Sequence, residues 1–284
     1  MVKSRAVRRR ALGLAGCCTA VLLALSGCSS DSSSGSAGAG STGSASSGAS
    51  TSSASSASST VSGTVTVFAA ASLKEAFTTL GGRFEAAHPG TKVVFNFAGS
   101  DALAASIVAG APADVFAAAS PTTMKTVTDQ GDAGTPTTFV RNQLEIATVP
   151  GNPHHIASLQ DLAQPGLKVV LCAKEVPCGA AAQKALAAGN VQLTPVSYEQ
   201  DVKAALTKVE LQEADASLVY QTDVKSAAGK VDGVPFPEAA SAINDYPIAT
   251  LTHAPNSAGA QAFVALVESP DGQKVLTDAG FLSA

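Results

Sequence analysis

The sequence repeatedly passes from a short apolar strand through a small polar turn into a helix, and this alternation constrains the fold more than any other feature. The first unit has a strand over residues 64–68, a turn at Ser72 and a helix over 73–88. The second has an alternating apolar strand over 93–97, followed by Ser100 at the start of another helix. Because strands joined by helices pair in parallel, the pattern predicts an α/β fold.

The alternation continues along the chain. A third strand over residues 113–118 precedes a helix that begins at Pro121 and ends near Gly131, which is the usual placing of these two residue types. Further strands are predicted over 143–149, 168–171, 195–196 and 216–220, with helices over 179–188, over 202–209 and from 222. Two consecutive sets predict two lobes, each a mainly parallel, doubly wound sheet flanked by helices, with a ligand in the cleft between them.

The last elements predict a hinge. A strand over residues 248–251 and two helices after it are expected to return to the first lobe, so the chain would cross between the lobes near Val140 and near Tyr246. The predicted domains are therefore lobe I, residues 63–140 plus 248–284, and lobe II, residues 141–247.

Residues 1–27 are typical of a lipoprotein signal peptide. Basic residues between Lys3 and Arg10 precede an apolar stretch too short to span a membrane, and Leu-Ser-Gly-Cys ends at Cys28. The mature chain is predicted to begin at Cys28, with lipid on its thiol anchoring the protein to the outer face of the cell membrane. The arginine run is equally compatible with twin-arginine and general export.

Residues 28–62 consist almost entirely of Ser, Gly, Ala and Thr. Such a segment has too little apolar surface to offset the entropy lost on ordering, so it is predicted to be a flexible linker. Its typical reach is about 30 Å. This length suits a soluble domain held close to a membrane.

The charge balance excludes some partners. Removing the five basic residues of the leader from the 18 Lys and Arg leaves 13 against 22 Asp and Glu, a net charge near −9. An acidic surface of this size argues against nucleic acid as a partner and against long-range attraction of anions. Any anion bound by this chain would have to be held by local dipoles.

Two cysteines remain beyond the leader and Cys28. Cys172 and Cys178 lie six residues apart, and outside the cell such a pair favours a disulfide, worth about 2 to 3 kcal/mol by loop closure. A zinc pair is the alternative, but no His or further Cys stands at ligand spacing nearby.

Enzyme signatures are absent from the sequence. It contains no G-x-S-x-G elbow, no metal-ligand pair at helical spacing and no phosphate-binding G-x-x-x-x-G-K-[ST] loop. The four histidines lie in loop-like contexts, where we interpret them as solvated residues, with adventitious metal binding by His154 and His155 as the alternative. We therefore expect neither a catalytic residue nor a cofactor.

Ser72 can be interpreted in two ways. At the start of a helix, its hydroxyl and the unpaired backbone N–H groups beside it form a seat for an anion. With Glu75 three residues later, Ser72 also matches an ordinary capping box. The residues around Ser72 alone leave both interpretations open.

Several motifs together resemble one family. The order and rough spacing of the molybdate-binding proteins of bacterial ABC importers are matched by VFAAASL (67–73), FAGSDAL (97–103), GAPADVF (110–116), VPCG (176–179), Asp201-Val202 and LVY (218–220). The resemblance covers essentially all of residues 61–284. It implies a two-lobed type II periplasmic-binding-protein fold that closes on molybdate or tungstate and delivers it to a membrane permease, as a monomer.

The resemblance also implies a ligand set. Ser72 and Ser100 would bind the oxyanion through hydroxyl and backbone N–H groups, Cys178 and Val202 through backbone N–H groups, and Tyr220 through its phenol. Any metal in the site would then be held only as this oxyanion. Asp101 follows Ser100, so its carboxylate would have to point away from the anion.

Three alternatives remain at this stage. Within the same fold, the ligand could be another tetrahedral oxyanion such as sulfate. In a different class, the chain could be a lipid-anchored serine hydrolase using Ser72. A non-catalytic surface adhesion module would bind no anion at all.

Overall fold

The computed structural model describes residues 61–284. The predicted signal peptide, Cys28 and the predicted linker up to residue 60 lie outside the described residues. Within the described part, no helix combines the length and the apolar character that crossing a membrane requires.

The described chain forms two sheets with helices packed on both. The strands are β1 (Gly63–Ala70), β2 (Thr91–Ala98), β3 (Val115–Ala117), β4 (Thr137–Asn142), β5 (Leu144–Thr148), β6 (Val169–Cys172), β7 (Ser197–Glu199), β8 (Ala216–Tyr220), β9 (Asp232–Val234), β10 (Asn244–Thr250) and β11 (Leu282–Ser283). The helices are α1 (Lys74–Ala87), α2 (Ser100–Val108), α3 (Pro121–Thr128), α4 (Pro177–Ala188), α5 (Val202–Glu210), α6 (Gln221–Ser226), α7 (Ser257–Glu268) and α8 (Pro270–Asp278).

The first sheet has six strands in the order β11-β4-β10-β3-β1-β2, and we call it, with helices α1 to α3, α7 and α8, lobe I. The second has five strands in the order β7-β6-β8-β5-β9 and forms, with α4 to α6, lobe II. β1 runs parallel to β2 and β3, and β6 runs parallel to β7 and β8. The predicted two-lobed α/β architecture is confirmed.

The strands next to the two lobe crossings, β5 and β10, pair antiparallel with their neighbours. β10 pairs antiparallel with β3 and β4 in lobe I, and β5 pairs antiparallel with β8 and β9 in lobe II. Only Gln143 separates the end of β4 from the start of β5, and the chain re-enters the first sheet at Asn244. Both sheets are therefore mixed, with the parallel pairs confined to the predicted strand–helix units.

The first sheet is covered by apolar side chains on both faces. In β1, Val65, Val67 and Ala69 belong to one core cluster, whereas Phe68 belongs to a second cluster on the opposite face. This division follows from the two-residue period of a strand. A central strand buried on both faces explains why residues 67–70, Val-Phe-Ala-Ala, form a continuous apolar run rather than an alternating one.

Some short elements differ from the sequence-based expectation. The strand predicted over residues 195–196 lies at Ser197–Glu199, and β4, β9 and β11 were not predicted. β9 and β11 are short and largely exposed strands that exist through pairing with β5 and β4. Their own sequences carry little apolar signal, so tertiary pairing decides their conformation.

Candidate functional site

A cavity of about 200 Å³ lies between the two lobes. It is lined from lobe I by Ser72 and Ser100, and from lobe II by Cys178, Val202 and Tyr220. All five residues predicted as ligands therefore meet around one space, although they are spread over about 150 positions of the chain.

Three of these residues lie in the first turns of helices. Ser100 and Val202 are the first residues of α2 and α5, and Cys178 is the second residue of α4 after Pro177. The N–H groups of a first helical turn have no acceptor within the helix, and the helix dipole makes that end positive. The lobes thus present N-termini of helices to the same space, an arrangement suited to an anion.

Ser72 does not cap a helix. It lies within a short 3₁₀ turn (Ala71–Leu73), and α1 begins after it with no side-chain cap at Leu73. The Ser72 Oγ lies instead 2.9 Å from the Oη of Tyr246. The capping-box interpretation of Ser72 with Glu75 is therefore wrong, because the Ser72 side chain contacts Tyr246 within lobe I and the Glu75 side chain contacts Lys203 of lobe II.

The Ser100 hydroxyl is buried at the cavity wall. Its Oγ accepts a hydrogen bond from the backbone N–H of Ala119, at 3.0 Å, and the residue is 1% exposed. The neighbouring Asp101 does not line the cavity. One of its carboxylate oxygens, Oδ1, is buried without a hydrogen-bond partner.

The Tyr220 phenol lies in the cavity lining, at the end of β8 in lobe II. It is 1% exposed, and its Oη accepts a hydrogen bond from Asn244 Nδ2 at 2.7 Å. Burial raises the pKa of the Tyr220 phenol well above its ordinary value, with the neighbouring Tyr246 adding to the shift. Tyr220 therefore remains neutral near neutral pH and keeps its hydrogen.

Among residues 61–284, no basic side chain lines the cavity, and the ionisable lining residues are Tyr220 and Asp201. The Asp201 carboxylate accepts a hydrogen bond from the Ala204 N–H at 2.9 Å and caps α5, as a helix-start aspartate should. The cavity accordingly offers hydroxyl and N–H donors without a compensating cation.

The loop before α4 is held by covalent and steric constraints. Cys172 and Cys178 form the predicted disulfide, with 5.8 Å between their Cα atoms. A Cβ on Gly179 would lie 1.9 Å from the Ala173 carbonyl oxygen, so only glycine permits the loop to fold this closely onto the helix. Both features fix the position of the Cys178 N–H at the cavity.

The two lobes touch beside the cavity. A Cβ on Gly99 in lobe I would lie 2.5 Å from the carbonyl oxygen of Gln200 in lobe II. The backbone of Gly99, at φ −58° and ψ 134°, is one that any residue can adopt. Space between the lobes, rather than backbone conformation, is thus what requires glycine at this position.

An ion-pair cluster also joins the lobes. Lys203 Nζ lies 2.9 Å from Glu75 of α1 and 3.0 Å from Asp223 of α6. Burial alone would lower the pKa of Lys203, but the two carboxylates outweigh it and raise that pKa. Burial raises the pKa of Asp223 to about 6 although Lys203 opposes the shift. The cluster bridges lobe I and lobe II outside the cavity wall.

Several residues of this region were not predicted from the sequence. Tyr246 meets Ser72 across 174 positions, and Asn244 reaches Tyr220 from the start of β10. Asn244 lies before the strand predicted over residues 248–251, so no local signal marked it as part of the site. Nothing local indicated that Lys203 would pair with Glu75.

Enzyme chemistry has little support at the site. The partner of the Ser72 hydroxyl is a tyrosine, and no histidine of the described part of the chain lines the cavity. Within residues 61–284, no group of three or more His, Cys, Asp or Glu side chains is arranged to hold a metal ion. A serine nucleophile needs a base within hydrogen-bond reach, and the lining supplies none.

Comparison with known proteins agrees with this geometry. Residues 65–282 match the family model described as bacterial extracellular solute-binding protein. The molybdate-binding protein ModA of Mycobacterium tuberculosis is 46% identical over 77% of this chain and 84% of its own. The putative ABC transporter substrate-binding lipoprotein YvgL of Bacillus subtilis is 26% identical over 77% of this chain and 86% of its own.

Solved structures show the same fold. The periplasmic molybdate-binding protein of Azotobacter vinelandii superposes with a TM-score of 0.69 at 21% identity, covering 78% of this chain and 99% of that one. The sequence relatives are named as binding proteins rather than enzymes. The chain belongs to the family of bacterial extracellular solute-binding proteins.

Proposed function

We propose that this protein captures molybdate, and tungstate with it, outside the cell membrane and delivers the oxyanion to an ABC importer. The observation that carries the proposal is the meeting of Ser72, Ser100, Cys178, Val202 and Tyr220 around one cavity with no basic side chain. The 46% identity to a protein named for molybdate binding supports it.

The hydrogen-bond donors of the cavity are sufficient for micromolar to nanomolar binding of an oxyanion. The residues that line the cavity supply three hydroxyls and the N–H groups of Ser72, Ser100, Cys178 and Val202, which make seven candidate donors. A hydrogen bond to an ionised acceptor contributes roughly 1.5 to 3 kcal/mol, so seven give ~10 to 20 kcal/mol before desolvation and lobe closure are subtracted. Micromolar to nanomolar binding needs only about 8 to 12 kcal/mol.

Selectivity would come from size and from protonation state. A larger tetrahedral oxyanion can reach donors on both lobes, whereas a smaller one such as sulfate leaves some donors unpaired. A protonated oxyanion carries a hydrogen that needs an acceptor, and a site made of hydrogen-bond donors supplies none, so it should bind more weakly. Sulfate remains the second candidate because the same donors would accept it.

The cellular setting is part of the proposal. We infer that Cys28 carries lipid, that residues 28–62 tether the binding unit to the outer face of the membrane, and that the protein meets the permease as a monomer without a cofactor. The lipobox ending at Cys28 and the relative named as a lipoprotein support this setting. Mass spectrometry of the membrane-extracted protein would detect a diacylated N-terminal Cys28.

Calorimetric and thermal titrations test the binding proposal directly. Molybdate, tungstate, sulfate and phosphate are titrated into the purified protein at matched ionic strength. A ligand at a thousand times its dissociation constant adds about 4 kcal/mol to the unfolding free energy, so the melting temperature should rise clearly with molybdate and tungstate. No heat and no thermal shift with either oxyanion would reject the proposal.

A further inference from the structure

Asn244 joins the two lobes at the cavity. It is the first residue of β10, where the chain returns from lobe II to lobe I, and it is 7% exposed. Its Nδ2 lies 2.7 Å from Tyr220 Oη, 2.9 Å from the Ala119 carbonyl oxygen and 3.4 Å from the Pro177 carbonyl oxygen. Asn244 itself does not line the cavity.

The surroundings fix which end of the amide faces Tyr220. Two of the three atoms around Nδ2 are backbone carbonyl oxygens, which only accept hydrogen bonds, so the amide must present its NH₂ group to them. The two amide hydrogens serve the two nearest acceptors, Tyr220 Oη and the Ala119 oxygen. The Tyr220 oxygen therefore accepts, and its own hydrogen is left for another acceptor.

The same residue, Ala119, links Asn244 to Ser100 through its two flanking peptide groups. The Ala119 carbonyl accepts from Asn244, while the Ala119 N–H donates to Ser100 Oγ at 3.0 Å. A hydroxyl that already receives a backbone N–H has its hydrogen free to donate. The Ser100 hydroxyl is thus oriented as a donor in the same way as the Tyr220 phenol.

A second asparagine repeats the arrangement at Ser72. Asn142 Nδ2 lies 2.8 Å from Thr222 Oγ1 and 3.5 Å from Tyr246 Oη, while its oxygen accepts the N–H of Gln143. Tyr246 can then donate to Ser72, which frees the Ser72 hydrogen. N–H groups therefore donate directly to the Tyr220 and Ser100 hydroxyls, and the Asn142 N–H acts on Ser72 through Tyr246.

We propose that Asn244 is a positioning residue that holds the Tyr220 hydroxyl as a donor and thereby makes the cavity prefer fully deprotonated oxyanions over hydrogen-bearing ones such as hydrogen phosphate. The inference rests on the proposed oxyanion binding. Tyr220 has one other neighbouring acceptor, the Tyr246 phenol, but an ionised oxygen in the cavity accepts more strongly than a neutral phenol.

The test compares selectivity rather than affinity alone. In Asn244→Leu the amide is replaced by an apolar side chain of similar size, so the Tyr220 oxygen can accept a hydrogen from a ligand. Dissociation constants for molybdate, sulfate and hydrogen phosphate are measured by calorimetry, with phosphate also measured by competition. Molybdate affinity should fall about tenfold, the equivalent of one weakened hydrogen bond, and the ratio of molybdate to hydrogen-phosphate affinity should fall at least as much.

Two further variants separate positioning from structure. In the Tyr220→Phe background, adding Asn244→Leu should leave the ratio unchanged, because the hydroxyl it orients is gone. Asn256→Ala is the control: Asn256 caps α7 and bonds to the Ser62 and Thr64 carbonyls, so it should lower stability and leave the ratio unaltered. Asn244→Ala replaces the leucine variant if that variant does not fold.

The outcomes are distinct for the two proposals. If wild type binds sulfate rather than molybdate, the proposed ligand is wrong, and the ratio is taken between sulfate and hydrogen phosphate. An Asn244 variant that weakens all oxyanions equally, or that binds hydrogen phosphate no better relative to the preferred oxyanion, overturns the role of Asn244. A wild-type protein that binds no tetrahedral oxyanion overturns both proposals.

Discussion

Gly99→Ala tests whether the lobes must touch for tight binding. The substituted methyl group would lie 2.5 Å from the Gln200 carbonyl oxygen, which is backbone and cannot rotate away. Since ordinary contacts of this kind are about 3.4 Å or longer, the lobes would have to separate by roughly 0.5 to 1 Å. The neighbouring Asp101 carboxylate, 2.7 Å from the same methyl position, can move by rotating its side chain.

Separating the lobes should weaken the hydrogen bonds to the oxyanion, because the donors lie on both lobes. A hydrogen bond of about 2.9 Å that lengthens by this amount passes the distance at which it is effective. Losing the equivalent of one charge-assisted hydrogen bond costs about 2 kcal/mol, or roughly a 30-fold weaker molybdate affinity. The unfolding free energy without ligand should change by less than about 1 kcal/mol, because the Gly99 backbone suits alanine.

Isothermal titration of molybdate into wild type and Gly99→Ala measures the effect. Gly82→Ala is the matched control, since Gly82 is exposed on α1 and a Cβ there meets nothing within 4 Å. This control should stabilise the helix by up to about 1 kcal/mol and leave the dissociation constant unchanged. A Gly99→Ala dissociation constant within threefold of wild type would refute the reasoning that contact at Gly99 sets closure.

Two other substitutions give expected outcomes of different kinds. Tyr220→Phe removes one donor to the anion, so calorimetry should show molybdate affinity falling by a factor of about 10 to 150, and an unchanged affinity would exclude the phenol as a ligand. Burial raises the pKa of Asp223 from 3.8 to about 6, so its contribution to stability is present below about pH 4 and is lost as the pH rises through 6. Asp223→Asn should remove this component, which amounts to about 3 kcal/mol, and urea unfolding of both proteins at pH 4 and pH 7 measures it. An identical pH dependence of the two proteins would contradict the raised pKa.

Strand–helix units that carry their own signal could be predicted from the sequence. The strand predicted over residues 216–220 coincides with β8, and Ser100 and Val202 begin α2 and α5. In these segments apolar periodicity and helix-start residues act locally, and tertiary packing reinforces them. The resemblance of the motifs then identified Ser100 and Val202 as candidate ligands, together with Ser72, Cys178 and Tyr220.

The parts that were missed depend on contacts distant in sequence. Nothing near Ser72 shows that its hydroxyl meets Tyr246, and the local Ser72–Glu75 spacing favours a cap that does not form. β4 is a lobe-crossing strand whose sequence, TTFVRN, carries weak alternation and becomes a strand by pairing with β10 and β11. Sequence periodicity reports burial within an element, not the partner that buries it.

A crystal structure of the protein grown with molybdate tests the central claim most directly, because it locates every oxygen of the ion. The account predicts the ion between the lobes, with its oxygens about 2.7 to 3.1 Å from the hydroxyls of Ser72, Ser100 and Tyr220 and the N–H groups of Cys178 and Val202. An ion coordinated by lysine or arginine, or bound away from these residues, would contradict the claim that neutral donors from both lobes hold it.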